Sequence, residues 1–311
     1  MNPSDISTEL NSAHYLGAIS FTLLFYDFLL TLDLEVSRYW GARISWPTAL
    51  FFVNRYGTLF GNVPVVMEQF WTAPSTAEKI RICQQLQYYH QWFIITTQII
   101  IGAMLVLRTY ALYERNKRVL GLMLAIGACI IAACIALYGK KPGVNYDFNN
   151  LPLHLGCTYG IIPAQSPGLI VAWASMAVFD CLIFSLTLRK ALCQRYPSAK
   201  HLLSVLLRDG SVYFGVMMIL NVSNILTFIF GGLMIKPTRK LYTRGVVTTF
   251  ANIISSILIS RLMLNIRNPA LWTMPSNACS RNMEGQEVEL STYMVPSELS
   301  TQYTQYTSGW P

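Results

Sequence analysis

Apolar residues along the chain fall into seven long runs separated by polar connections. Each run is about 20 residues long, which is enough for an α-helix to cross the hydrocarbon core of a bilayer. The pattern therefore predicts seven transmembrane helices, near residues 14–34, 47–66, 87–107, 119–138, 167–188, 211–235 and 245–265. Gly57 and Gly61 in the second run have the four-residue spacing that lets neighbouring helices approach closely.

The segments that flank these runs lack their apolar periodicity. Residues 1–13 contain no Lys or Arg, which argues against a cleaved signal peptide, and we expect a short segment on the outer side. Beyond residue 266 the chain becomes rich in Ser, Thr, Gln and Glu, and such a segment buries too little apolar surface to offset its ordering entropy. The sequence thus predicts an all-α, seven-transmembrane-helix bundle over 14–266, followed by a disordered cytosolic tail over 267–311.

The composition also indicates a membrane environment. Hydrophobic residues make up 53% of the 311 residues and charged residues only 12%, against roughly 25% in ordinary globular proteins. A soluble fold could not cover this much apolar surface, which excludes a nucleic-acid-binding domain, a disordered regulator and a small disulfide scaffold. The expected partner is the lipid bilayer, in a plasma membrane or an endomembrane, and nucleic acid is not expected.

The positive charges between the runs indicate an orientation. With the N-terminus outside, the inner connections and tail contain 13 Lys and Arg residues and the outer connections contain 8. Because cytosolic loops of membrane proteins are enriched in Lys and Arg, this bias predicts an outer N-terminus and a cytosolic C-terminus. Four basic residues between the sixth and seventh runs weaken the bias.

Among the ionisable residues inside apolar runs, where a charge is costly and usually functional, three stand out: Asp27, Arg55 and Asp180. At a helical rise of about 1.5 Å per residue, all three are expected in one layer of the membrane. We predict an ion pair between Asp27 and Arg55, with Asp180 as a second partner. Asn221 and Asn224 could extend this polar layer. The pair either fixes the helix register or takes part in ligand binding, ion binding or switching.

Cys83 and Cys157 are both predicted on the outer side, before the third run and after the fourth. A disulfide between them would pin the long connection between the fourth and fifth runs over the outer mouth of the bundle. Two unpaired cysteines are the alternative.

Sequence motifs of catalysis are absent. The chain contains no Gly-x-Ser-x-Gly, His-Glu-x-x-His or phosphate-binding glycine loop. His14, His90 and His154 lie near the predicted outer face without the spacing of a zinc site. We expect no enzymatic activity, no metal and no cofactor.

A basic segment follows the third run and contains Arg108, Arg115, Lys117 and Arg118. At a cytosolic helix end these cations would contact anionic headgroups, at about 1 kcal/mol each. The alternative is a docking surface for a cytosolic signalling protein. Arg261, near the inner end of the seventh run, is expected to extend to the headgroups.

Three sequence stretches carry a family resemblance: LLFYDFLLTLDLEV at 23–36, WPTALFFVNRY at 46–56 and RTYALYERNKRVL at 108–120. They resemble a large family of basidiomycete fungal membrane proteins that is defined by an N-terminal domain of unknown function. The resemblance covers most of residues 20–120. It implies a fungal multi-pass membrane protein of unestablished activity and supplies no catalytic or ligand-binding residues.

The predicted architecture is also similar to that of G-protein-coupled receptors, with an outer N-terminus and a Cys before the third helix. The motifs of those receptors do not follow, because no acidic residue precedes Arg108 and the sixth run contains no Pro. We expect a receptor-like or sensory membrane protein. A transporter or channel that uses the Asp27–Arg55–Asp180 layer is the first alternative, and a structural membrane protein is the second.

Overall fold

The computed structural model describes residues 3–41, 45–71, 77–138, 157, 166–193, 213–227, 229 and 246–267. Across these residues the regular secondary structure is helical, without a strand. In chain order the helices are α1 Pro3–Leu30, α2 Leu32–Glu35, a π-helical turn Val36–Trp40, α3 Trp46–Gly61, α4 Val63–Phe70, α5 Ala77–Leu112, α6 Lys117–Tyr138, α7 Ser166–Cys193, α8 Tyr213–Thr227 and α9 Val246–Ile266.

Four helical segments in the described part of the chain are long and apolar enough to cross a membrane: Ala13–Leu30, Ala77–Leu112, Ile170–Lys190 and Val247–Ile266. The predicted runs at 119–138 and 211–235 correspond to α6 and to the shorter apolar helix α8. The predicted tail lies outside the described residues, apart from Arg267. These apolar helices indicate a membrane protein.

Two predicted boundaries differ from the structure at the N-terminus. Helix α1 begins at Pro3, so most of the predicted outer segment, residues 1–13, belongs to the first helix. The first run also continues beyond residue 34, because α2 and the π-helical turn extend helical backbone as far as Trp40. This extension brings Glu35 into the interior, where its side chain is fully buried.

The second predicted run, 47–66, is divided at Asn62 into α3 and α4. Pro64 causes the break, because proline has no amide hydrogen to donate to the carbonyl four residues earlier. The Asn62 side chain caps the end of α3, because its Nδ2 atom donates to the carbonyl of Thr58 at 2.6 Å, beside the Asn62 backbone amide, which donates to the same carbonyl at 3.2 Å. Helix α4 then continues to Phe70, which places Glu68 inside the bundle.

Helix α9 is the central helix of the described bundle. In an 18-residue apolar stretch of α9, 61% of the residues are buried, against 33% in the corresponding stretches of α1 and α5. It packs against α1, α3 and α5, while α6 and α7 pack together on the other side of α5. The buried face of α9 is polar in many positions: Thr248, Thr249, Asn252, Ser255, Ser256 and Ser260. This central polar helix positions much of the candidate site.

Candidate functional site

Arg55 on α3 forms a buried ion pair with Glu35 on α2. The Arg55 Nε atom donates to Glu35 Oε2 at 2.5 Å, and the two side chains are only 3% and 0% exposed. Arg55 Nη2 also donates to the carbonyl of Phe28 at 3.0 Å and to Thr31 Oγ1 at 2.8 Å. One guanidinium therefore fastens α3 to α1 and α2.

The Glu35 carboxylate has further donors on its second oxygen. Tyr56 donates its hydroxyl to Glu35 Oε1 at 2.8 Å, and Trp40 donates its indole N–H to the same atom at 3.1 Å. The Phe28 ring lies 4.8 Å from the guanidinium carbon of Arg55. A charge pair in an apolar bundle is tolerated when its remaining donors and acceptors are satisfied, and this arrangement meets that condition.

The π-helical turn holds Glu35 in place by docking on the end of α9. Tyr39 stacks on Phe51 with the ring centroids 3.9 Å apart, and the Arg267 guanidinium lies 3.9 Å from the Tyr39 ring. Burial raises the pKa of the Tyr39 phenol to about 12, against the opposing effect of Arg267 and Arg38. Arg38 donates to the carbonyl of Leu264 at 2.7 Å.

Asp27 forms a second ion pair, with Arg261 on α9. The Arg261 Nε atom donates to Asp27 Oδ1. Asp27 is almost fully buried, whereas the Arg261 side chain is 38% exposed. Arg261 therefore joins α9 to α1 instead of extending freely to the headgroups as the sequence predicted.

The predicted Asp27–Arg55 pair is wrong in its partners. The Arg55 guanidinium reaches Thr31 and Glu35, one and two helical turns beyond Asp27 on the first run. The predicted first helix ends at residue 34, one residue before Glu35. Asp27 and Arg55 each form an ion pair, Asp27 with Arg261 and Arg55 with Glu35.

Asp180 on α7 is separate from these pairs, so its predicted role as a second partner is also wrong. Its Oδ2 atom accepts a hydrogen bond from Asn221 Nδ2 on α8 at 2.8 Å. Asn224, one turn further along α8, is fully buried, and Thr248 donates to its Oδ1 over a long 3.5 Å. The predicted single layer is therefore divided between a charged part on α1, α3 and α9 and an amide–carboxylate part on α7 and α8.

A row of polar contacts, here called the polar seam, runs between α9 and its neighbours. Asn54 Nδ2 donates to Ser260 Oγ at 3.0 Å, and the hydroxyls of Thr58 and Ser256 are 2.8 Å apart. Further along α9, Gln98 Nε2 on α5 donates to Asn252 Oδ1 at 3.0 Å.

At the end of the seam, His90 on α5 lies between α4 and α9. Its Nδ1 atom is 2.9 Å from Glu68 Oε2, and its Nε2 atom is 3.1 Å from Thr249 Oγ1. Sequence reasoning missed Glu68 and Thr249. A signal for the α9 residues was present, because positions 249, 252, 256 and 260 recur at helical spacing in an otherwise apolar run.

Cys83 and Cys157 are joined by a disulfide, with their Cα atoms 5.4 Å apart. Of the two alternatives left by the sequence, the structure has the bonded one. The Cys157 amide donates to the carbonyl of Glu68 at 2.8 Å, and Trp71 and Leu86 pack against the bridge. We call this end of the bundle the disulfide end, and the end that contains Arg108 and Arg261 the opposite end.

The predicted basic segment does not form one surface. Arg115, Lys117 and Arg118 are exposed in and after the turn between α5 and α6. Arg108 instead lies in the last turns of α5, with its guanidinium carbon 5.9 Å from the Phe214 ring of α8. The expectation of four equivalent headgroup or docking cations is therefore corrected: three are on the surface and one is partly enclosed.

Comparison with known proteins identifies one similarity. A family model described as "Family of unknown function (DUF6533)" matches residues 15–60. No curated protein and no solved structure matches the chain. The matched segment contains Asp27, Glu35 and Arg55, so both ion pairs draw on it. The chain thus has an N-terminal domain of unknown function.

Proposed function

We propose that this chain is a receptor-like or sensory membrane protein without catalytic activity. It would have seven transmembrane helices, an outer N-terminus and a cytosolic C-terminus. The observation that carries the proposal is an asymmetry between the two ends of the bundle. The disulfide end is covalently crosslinked, whereas the opposite end is held by non-covalent contacts that include the ion pairs Arg55–Glu35 and Asp27–Arg261.

The disulfide supports the proposed orientation. Disulfides form and persist in oxidising compartments and on cell surfaces, and they are rare in the cytosol. Cys83 lies near the start of α5, which would be the third crossing of the membrane. An outer position for the start of a third crossing requires an outer N-terminus, in agreement with the bias of Lys and Arg.

The two ion pairs give the opposite end a means of switching. Each pair joins the first helical run to a different neighbour, α3 through Arg55 and α9 through Arg261. Salt bridges at helix interfaces are among the contacts that repack in known switching transitions. A ligand at the disulfide end would act by binding better to one arrangement of these helices than to the other.

The polar seam favours a second candidate, a transporter or channel. Polar side chains of α3 and α5 contact polar side chains of α9 in the pairs Asn54–Ser260, Thr58–Ser256 and Gln98–Asn252. Polar residues inside membrane bundles commonly mark solute or ion pathways. Parting of α3 from α9 would turn the seam into a polar path. A structural role, in which the charges only set the helix register, is the third reading.

The test is capture of a cytosolic partner from solubilised membranes of a basidiomycete, the source that the resemblance implies. The tagged full chain is recovered with and without a non-hydrolysable GTP analogue, and bound proteins are identified by mass spectrometry. We expect a heterotrimeric G protein that binds and is released by the nucleotide. The double variant Lys117→Gln/Arg118→Gln, on the exposed turn, should recover several-fold less of it. Arg81→Gln, which removes an exposed cation at the disulfide end, is the matched control.

The alternatives predict other results. A folded preparation that captures no G protein contradicts this form of the receptor proposal. Solute flux into vesicles that is lost in Asp27→Asn, at unchanged membrane insertion, would then support the transporter. A folded preparation that shows neither capture of a G protein nor solute flux would favour the structural role.

A further inference from the structure

Among the described residues, Arg108 combines an enclosed guanidinium nitrogen with the lack of an acidic partner. Its Nη1 atom is fully enclosed and has no hydrogen-bond partner among the described residues. By contrast, Arg55, Arg261 and Lys190 each contact a carboxylate. An enclosed guanidinium nitrogen without an acceptor loses its hydration without compensation, which is unfavourable unless an anion is supplied from elsewhere.

The position of Arg108 limits where that anion can come from. Arg108 is four residues from the end of α5, about 6 Å along the helix axis, and its side chain as a whole is only partly buried. It therefore lies within one helical turn of the surface at the opposite end of the bundle. Phe214 lies on one side of it, and Tyr213 is anchored next to Phe214 by a hydrogen bond from Asn265 Nδ2 at 3.0 Å.

The charges around this position would attract an anion. Arg115, Lys117 and Arg118 are within ten residues of Arg108, on the turn and helix that follow it. The acidic side chain of this turn, Glu114, is already paired with Lys190 at 2.8 Å. The described residues at this surface thus have an excess of positive charge, which raises the local concentration of anions.

We infer that the Arg108 guanidinium binds a phosphate group, and that the phosphate belongs to an anionic lipid headgroup at the opposite end of the bundle. Guanidinium presents a planar fork of donors that matches the oxygens of a phosphate, and such charge-assisted pairs are stronger than neutral hydrogen bonds. The aromatic side chains beside Arg108 and its depth of one turn correspond to the headgroup layer of a bilayer. The inference holds for a receptor, a transporter or a structural protein alike.

The test compares lipid retention by the purified full chain in nanodiscs. Discs of phosphatidylcholine alone are compared with discs that also contain phosphatidic acid, whose headgroup is phosphate alone, and retained lipid is measured by native mass spectrometry. We expect the wild type to retain phosphatidic acid and Arg108→Gln to bind it about tenfold more weakly, as for the loss of a charge-assisted hydrogen bond. Arg108→Lys, which keeps the charge without the fork, should fall between them.

A control variant on the same surface distinguishes binding of the lipid at Arg108 from nonspecific electrostatic attraction by the exposed cations. Lys117→Gln/Arg118→Gln removes two exposed cations, whose attraction for anions is screened by salt, and at physiological ionic strength it should lower retention less than Arg108→Gln does. Equal losses in this variant and in Arg108→Gln would overturn the inference. Should Arg108→Gln not fold, Arg108→Lys against the double variant is the deciding comparison.

Adding inorganic phosphate tests whether the bound phosphate group belongs to a lipid headgroup or to free phosphate in solution. Inorganic phosphate is added to the wild type and to Arg108→Gln in discs of phosphatidylcholine alone, and their thermal unfolding is compared with that of the same two proteins in discs that contain phosphatidic acid. We expect phosphatidic acid to raise the unfolding temperature of the wild type more than that of Arg108→Gln, and inorganic phosphate to leave both unchanged. Equal stabilisation by inorganic phosphate, dependent on Arg108, would overturn the lipid as the source.

Discussion

At the scale of single residues, the decisive feature is how completely Glu35 is satisfied. Its two carboxylate oxygens receive donors from Arg55, Tyr56 and Trp40, so the buried charge does not remain without partners. Removing one member of such a buried pair leaves the other charge uncompensated, which is more destabilising than the net value of the pair. Stability should therefore depend strongly on Glu35 and weakly on its exposed neighbour Asp33.

We predict that Glu35→Gln lowers the free energy of unfolding by about 3 kcal/mol, because Arg55 then remains buried without a counter-charge. Asp33→Asn removes an exposed carboxylate from the same short helix and should change stability by less than about 0.5 kcal/mol. Thermal unfolding of both variants in one detergent measures the difference. Equal effects of the two substitutions would show that the Arg55–Glu35 pair contributes little to stability.

Charge exchange tests the identity of the second pair. Asp27→Arg and Arg261→Asp should each lower the yield of folded protein, because each places like charges side by side at the α1–α9 contact. The double variant Asp27→Arg/Arg261→Asp restores opposite charges and should recover part of that loss. Asp27→Arg/Arg55→Asp is the matched control, which should not recover, since Asp27 and Arg55 have different partners. Monodisperse protein in size-exclusion chromatography is the readout, and recovery in the control alone would contradict the described pairing.

The sequence identified which residues would be buried and charged at this scale but not how they pair. An ionisable residue inside an apolar run is visible without a structure, so Asp27 and Arg55 could be predicted. Their partners depend on where the first helix ends, and a displacement of one helical turn changes which side chain faces Arg55. Glu35 comes directly after the last residue of the predicted run, so a difference of a few residues in this boundary changes which acidic side chain is expected to pair with Arg55.

At the scale of helices, close contacts decide which small residues matter. Gly57 and Gly61 have the same four-residue spacing, yet their surroundings differ. A Cβ atom on Gly61 would overlap the ring of Phe93 on α5, whereas a Cβ atom on Gly57 would meet nothing within 4 Å. Tyr89 also donates to the Gly61 carbonyl at 2.9 Å and stacks on Phe93. The spacing predicted close packing for both glycines, and the structure shows it for one.

We predict opposite effects for the same substitution at these two positions. Gly61→Ala should destabilise the α3–α5 contact by about 1–3 kcal/mol, as expected when a well-packed interface is overfilled. Gly57→Ala should be neutral or stabilising by up to about 1 kcal/mol, because alanine is the better helix former. Thermal unfolding distinguishes them, and Gly61→Ala/Phe93→Leu should regain stability relative to Gly61→Ala. A destabilisation of equal size at Gly57 would contradict the packing of α3.

The helices themselves were more predictable than their interruptions. Apolar runs about 20 residues long are a strong signal, and helical segments lie within all seven predicted runs in the described part of the chain. The division at Asn62 had a local signal in Pro64, which the apolar run concealed. The π-helical turn had none, because its docking depends on contacts of Tyr39 and Arg38 with the distant end of α9.

At the scale of the whole molecule, the orientation of the bundle connects the disulfide to the proposed function. Signal transfer from outside requires the crosslinked end to face the exterior and the turn with Lys117 and Arg118 to face the cytosol. The disulfide and the distribution of Lys and Arg support this orientation independently, one through redox compartment and the other through loop charge.

Cysteine labelling in intact cells measures the orientation directly. In a chain whose other five cysteines are replaced, Cys83 and Cys157 should react with a membrane-impermeant maleimide only after treatment with a membrane-impermeant reductant. In a second chain without this pair, Lys117→Cys should be labelled only after the membrane is permeabilised. The reverse pattern, with position 117 labelled in intact cells, would place the basic turn outside. It would also remove the physical basis for a cytosolic partner at that turn, because the exposed cations would then face the wrong compartment.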